Sequence, residues 1–113
     1  MLCKTSKLSQ KMSTNRLNSL ISFLKETPND PFLKYCIALE HVKDGSLQAE
    51  DYFEDLLTNH SVYLSTYYSA GKYYESLNNF DKAEALFEKG IALAKQLGDT
   101  KATGELQTAL DML

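Results

Sequence analysis

Two histidines, two cysteines and seven tyrosines are the side chains of this 113-residue chain from which a reaction or a binding site could be built. Acid–base catalysis needs a histidine held by an orienting partner, and metal binding needs ligands at fixed helical or turn spacing. His41 and His60 stand nineteen residues apart, and neither has a serine, cysteine or acid beside it in a nucleophile motif. His41 falls on an apolar helical face, which predicts a core or half-buried imidazole, whereas His60 falls at a turn and is expected in solvent. Cys3 sits in a polar leader and Cys36 beside Ile37 on an apolar stretch, so neither a disulfide framework nor a metal set is expected, and Cys36 reads as an inert thiol. Gly90, Gly98 and Gly104 are too far apart for a phosphate-cradling loop. These residues predict no enzyme, no cofactor and no metal site.

Binding is the remaining chemistry. Five of the seven tyrosines lie at 63, 67, 68, 73 and 74, and on a helix they cannot all point into one interface. An acidic cluster, Glu50, Asp51, Glu54 and Asp55, reads as a solvated face that also suits the positive end of a helix. The formal charge of -3 lacks the basic footprint that counterion release rewards, so no nucleic-acid partner is expected. The longest apolar run, Tyr35 to Leu39, is far too short to span a membrane. Ordinary globular composition with two isolated thiols predicts a soluble protein in the reducing cytoplasm.

The elements that must position these residues are helices throughout, because apolar residues recur three and four apart and almost nowhere alternate. Residues 1–12 form a polar leader with basic residues and no acid, and are expected to be a flexible tail, with Met12 an alternative start. Residues 13–113 are expected to form a single helical domain. Leu17, Leu20, Ile21 and Leu24 make the stripe of a first helix that Thr27-Pro28 ends. Asp30-Pro31 caps a second, which runs to Asp44 before Gly45. Ser46 opens a third, with Leu47, Tyr52, Phe53, Leu56 and Leu57 on its buried face. Leu64, Tyr67, Ala70, Gly71, Tyr74 and Leu77 mark a fourth, which Asn78-Asn79 breaks. The fifth carries Phe80, Ala83, Phe87, Ile91, Ala94 and Leu97 and stops at Gly98. Asp99 caps a sixth, lined by Ala102, Leu106, Ala109, Leu110 and Leu113. Short connections require antiparallel neighbours.

The chain also repeats. A shift of 34 lays Ala49 on Ala83 and Phe53 on Phe87, and a shift of 33 lays Ala38 on Gly71 and His41 on Tyr74. With two helices per period, Tyr67-x2-Ala70-Gly71-x2-Tyr74 followed by Ala83-x3-Phe87 resembles the tetratricopeptide repeat. An earlier, more degenerate unit has Ile37-Ala38-x2-His41 and Ala49-x3-Phe53, with Lys34 where the family usually has a bulky aromatic.

The resemblance covers about 31–97 and implies an all-α fold: antiparallel helical hairpins in two repeats, about 31–60 and 61–97, in a short superhelical stack of six helices. The first helix and the last, 99–113, would cover its ends. It further implies that Tyr67 and Tyr74 are core, while Tyr68, Lys72 and Glu75 face the concave groove. The matching stripe of the second helix is Phe32, Tyr35, Leu39 and Val42, which the first helix could instead cover. Tyr35, Leu39, Tyr68, Lys72 and Glu75 are therefore the expected contacts for a peptide or helix of another protein. Where the family's best-known groove holds a terminal carboxylate with lysine, asparagine and arginine, this chain has Tyr35, Leu39 and Ser69, with only Lys72 basic nearby. That clamp is missing, so an acidic chaperone tail is not the expected partner. Exposed tyrosines also make a homodimer a second possibility.

Overall fold

Three of the helices begin at a capping residue, Asp30, Asn79 or Asp99, and one ends at a glycine, Gly98. The computed structural model describes residues 15–113; the leader, Cys3 and the start of the first helix at Ser13 lie outside the described residues. Helix α1 covers residues 15–26, α2 Pro31–Lys43, α3 Gln48–Asn59, α4 Ser65–Ser76, α5 Phe80–Leu97 and α6 Thr100–Asp111, and among the described residues there are no strands.

Asp30 caps α2, its Oδ1 accepting from the amides of Phe32 at 2.9 Å and Leu33 at 3.4 Å, and Pro31 occupies the first turn, where an amide would have no helical partner. Asn79 and Asp99 cap α5 and α6 in the same way through the amides of Lys82 and Ala102. Gly98 takes φ +72°, so the chain leaves α5 through the left-handed conformation that a Cβ disfavours. Asn78 reaches φ +62° between α4 and α5, and it is the only non-glycine residue of positive φ among those described.

The chain forms two compact units, one ending at Leu56 and one spanning Leu57–Leu113. In the first, α2 and α3 are antiparallel. Lys34 near the start of α2 meets Asp55 late in α3 at 2.9 Å, and His41 near the end of α2 stacks on Tyr52 with ring centroids 5.5 Å apart. Helix α1 is tied to α2 by Arg16, whose guanidinium donates to Glu40 Oε1 at 3.2 Å. Ile37, Ala38, Ala49, Phe53 and Leu56 are fully buried.

The second unit is an antiparallel pair, α4 and α5, with α6 packed back against α5. Lys82 of α5 sits 4.3 Å over the Tyr74 ring, Phe87 lies opposite Gly71, and Gly90 lies opposite Tyr67. A Cβ on Gly71 would lie within 2.7 Å of Phe87 Cδ1, so these helices meet where α4 has no side chain. A Cβ on Gly90 would lie 2.7 Å from that of Tyr67 and 3.1 Å from Leu106 of α6.

Several residues at the edges of the expected stripes are exposed. Leu47 precedes α3 in a turn, and Leu77, Phe80, Leu97 and Leu113 stand at or beyond helix ends, where the neighbouring helix no longer covers them. Helix α4 begins at Ser65, and Leu64, which precedes it, makes no side-chain cap.

Replacing Gly71 by leucine puts four carbons against Phe87 and should lower stability by about 1–3 kcal/mol, although leucine has the better helix propensity. Thermal unfolding by circular dichroism checks this; an unchanged or higher Tm would contradict the close approach.

Candidate partner-binding surface

The periodicity of α4 separates its tyrosines. Tyr67, Ala70, Gly71 and Tyr74 turn inward, with Tyr73 also buried and its ring edge-on to Tyr74 at 5.3 Å. The Tyr67 hydroxyl donates to the Ser61 carbonyl at 2.6 Å, and burial pushes its phenol above its ordinary pKa. Tyr68 points elsewhere and remains 42% exposed, its ring tilted against Phe87 at a centroid distance of 6.3 Å. One turn on, Lys72 donates to Glu75 Oε2 at 3.3 Å. Tyr68, Lys72 and Glu75 share a face of α4, and the ammonium already has the half-buried Glu75 carboxylate as its partner. Such a pair is worth little in water and exchanges readily for a better one.

Tyr68 also has neighbours that the helix-by-helix reading leaves out. It borders an open depression of about 480 Å³ lined by Thr100, Lys101, Gly104, Glu105 and Thr108 of α6. The signal for them was in the sequence: a further shift of 33 residues lays these five on Tyr67, Tyr68, Gly71, Lys72 and Glu75. By register, α6 is the first helix of a third unit, although Thr100, Thr103 and Gln107 stand at the positions of Tyr67, Ala70 and Tyr74 and only the glycine, Gly104, is kept.

In the first unit, Tyr35 is half-buried and Leu39 is exposed, together with Phe32 and Val42. Helix α1 therefore leaves most of the α2 stripe open. Its contact falls on Glu40, which is buried and was not among the expected site residues.

Residues considered for chemistry serve packing. His41 is buried against Tyr52 and stands where Tyr74 stands in the other unit. His60 is half-buried rather than in open solvent, because the chain turns there between α3 and α4. The Cys36 thiol is half-buried, and its pKa is raised by burial first and then by the carboxylates of Glu40 and Asp30. The acidic cluster is only partly a solvated face: Asp55 accepts from Lys34, whose side chain is 9% exposed where the other unit buries Tyr67. Among the described residues no group of three or more His, Cys, Asp or Glu side chains could hold a metal ion, and no helix is long and apolar enough to cross a membrane.

Hairpins of about 33 residues, with small residues packed against aromatic ones inside, define a helical-repeat protein. No protein-family model and no curated protein matches the chain. Solved structures do. The crystal structure of a tetratricopeptide repeat domain protein from Salinibacter ruber is 39% identical, with a TM-score of 0.68 over 72% of this chain and 92% of that one. The solution NMR structure of a tetratricopeptide repeat domain protein from the same organism is 40% identical, with a TM-score of 0.69 over 74% of this chain and 85% of that one. The chain belongs to the tetratricopeptide repeat family.

Two predictions follow from the packing of the first unit. Lys34→Met leaves Asp55 without its cation and should cost about 1–2 kcal/mol, less than a fully buried pair because Asp55 keeps some access to water. Adding Asp55→Leu should recover most of that loss, as read by urea denaturation. The raised thiol pKa makes Cys36 a poor nucleophile at neutral pH. In a Cys3→Ser background, Cys36 should react with iodoacetamide more slowly than glutathione at pH 8, with the rate still rising above pH 9; a rate equal to that of glutathione would contradict its shielding.

Proposed function

We propose that this protein is a non-catalytic interaction module that holds a peptide or helix of another cytoplasmic protein against the outer faces of its first helices. The observation that carries this reading is Tyr68. Tyr67, Tyr73 and Tyr74 are buried, yet Tyr68 keeps its ring exposed on the wall of an open depression. An aromatic ring at such a place offers a large contact area with little side-chain entropy to lose, which favours it as an anchor. Lys72 and Glu75 beside it supply one donor and one acceptor that a partner's polar groups can use in place of their mutual pair. Tyr35 and Leu39 offer α2 a contact of the same aromatic and aliphatic kind within the first unit. Recognition here is by shape and desolvation, with no chemical step and no cofactor.

The test begins with a chain that co-purifies from the native source and is then expressed separately. Tyr68→Ala should weaken its binding by about 1–2 kcal/mol, mostly through faster dissociation. Lys72→Ala should cost less and lose its effect in high salt. Both substitutions should leave Tm within a few degrees of the parent, whereas Tyr67→Ala should lower it sharply. A double variant that binds as tightly as the parent would remove this face as the binding surface.

A further inference from the structure

The α6 side of the depression has a feature that the Tyr68 reading does not use. Lys101 and Glu105 are both exposed, and neither side chain makes an ion pair or hydrogen bond with any described residue. They are four residues apart on one helix, the spacing at which opposite charges usually meet, but the lysine precedes the glutamate, the weaker of the two orders. Between them lies Gly104, where an added Cβ would meet nothing within 4 Å, in contrast to Gly71 and Gly90, which are pressed by Phe87 and Tyr67. Thr108 turns its hydroxyl back to the Gly104 carbonyl at 2.9 Å. Met112 continues the same face and is 74% exposed. The surface therefore holds one unpaired cation, one unpaired anion, a gap in the side-chain layer and an exposed thioether, all on a single helix.

We propose that this face of α6 pairs with the same face of a second copy of the chain, antiparallel across a two-fold axis beside Gly104. An antiparallel copy reverses the order of the charges. Lys101 of each protomer then meets Glu105 of the other, and one interaction becomes two by symmetry. The missing Cβ lets the two backbones approach at the axis. Met112 of one copy runs toward the start of the other's α6, where Leu97 at the end of α5 is 58% exposed. Self-complementarity of charge order favours a second copy over a foreign helix, because α6 itself supplies the required sequence of charges in the required spacing. The α6 face is the other wall of the depression that Tyr68 borders, so a second copy seated on it competes with a partner held there; charge reversal at Lys101 and Glu105 tests the dimer, and Tyr68→Ala tests partner binding.

Sedimentation equilibrium on the full chain, across micromolar to millimolar concentrations at low and high salt, tests this. The parent should dimerise, more weakly as salt rises. Lys101→Glu and Glu105→Lys each place like charges opposite one another twice and should raise the dimer dissociation constant on the order of tenfold or more. Circular dichroism should show both variants folded, since both sites are exposed. Mixing the two single variants restores opposite charges at both contacts and should give a heterodimer, and the double variant Lys101→Glu, Glu105→Lys should dimerise with itself. A parent that stays monomeric throughout would overturn the proposal and leave the face to a foreign helix. So would a dimer whose dissociation constant ignores both reversals, or single variants that fail to rescue one another.

Discussion

The second unit depends on two places where a helix has no side chain. At Gly71 the ring of Phe87 fills the space a Cβ would take, and at Gly90 the side chains of Tyr67 and Leu106 press in together. Close packing of this kind sets the separation of α4 from α5 and of α5 from α6, because protein interiors have no slack with which to absorb an added carbon. Once that separation is fixed, so is the rotation of α4. Tyr67 and Tyr74 must turn inward, and Tyr68, one residue along, must turn out. The exposed ring is a geometric consequence of the buried glycine contact.

The first unit solves the same packing problem with charge. Where the second unit buries Tyr67, the first buries Lys34 and balances it with Asp55; Glu40, also buried, takes its cation from Arg16 on α1. A buried ion pair gains little net stability over a well-packed apolar pair, since desolvation offsets much of the attraction. Its effect is selective instead: Lys34 needs an anion opposite it, and Asp55 is the one α3 provides. The stack of His41 on Tyr52 adds an aromatic contact at the other end of the same hairpin.

Interaction surfaces arise from what this packing leaves over. On α4 it leaves Tyr68 beside the depression, with Lys72 one turn on; on α6, which repeats the register without the bulky motif residues, it leaves threonines, a glycine and two unpaired charges. A core made from aromatic and small residues keeps polar and aromatic side chains of the outer face free to vary. Family membership accordingly fixes the fold and the general role in protein interaction, while the outer residues set what is bound.

The sequence alone determined the all-α class, the starts of α2, α3, α5 and α6 to within a residue or two, the antiparallel hairpins and the family. These rest on local chemistry: Asp30, Asn79 and Asp99 cap helices wherever they stand, Gly98 ends one, and a 3.6-residue period needs no partner to be legible. It also carried the third occurrence of the register at Gly104, which became informative only once α6 was seen beside Tyr68. Tertiary structure alone decided that Lys34 and Glu40 are buried with partners distant in sequence, that Leu77, Phe80 and Leu97 are exposed, and that Phe32, Leu39 and Val42 stay open beside α1. The reason is physical: a periodic pattern says which face of a helix is apolar, but burial depends on how far the neighbouring helix reaches and which charge it brings, and neither is written in the helix's own residues.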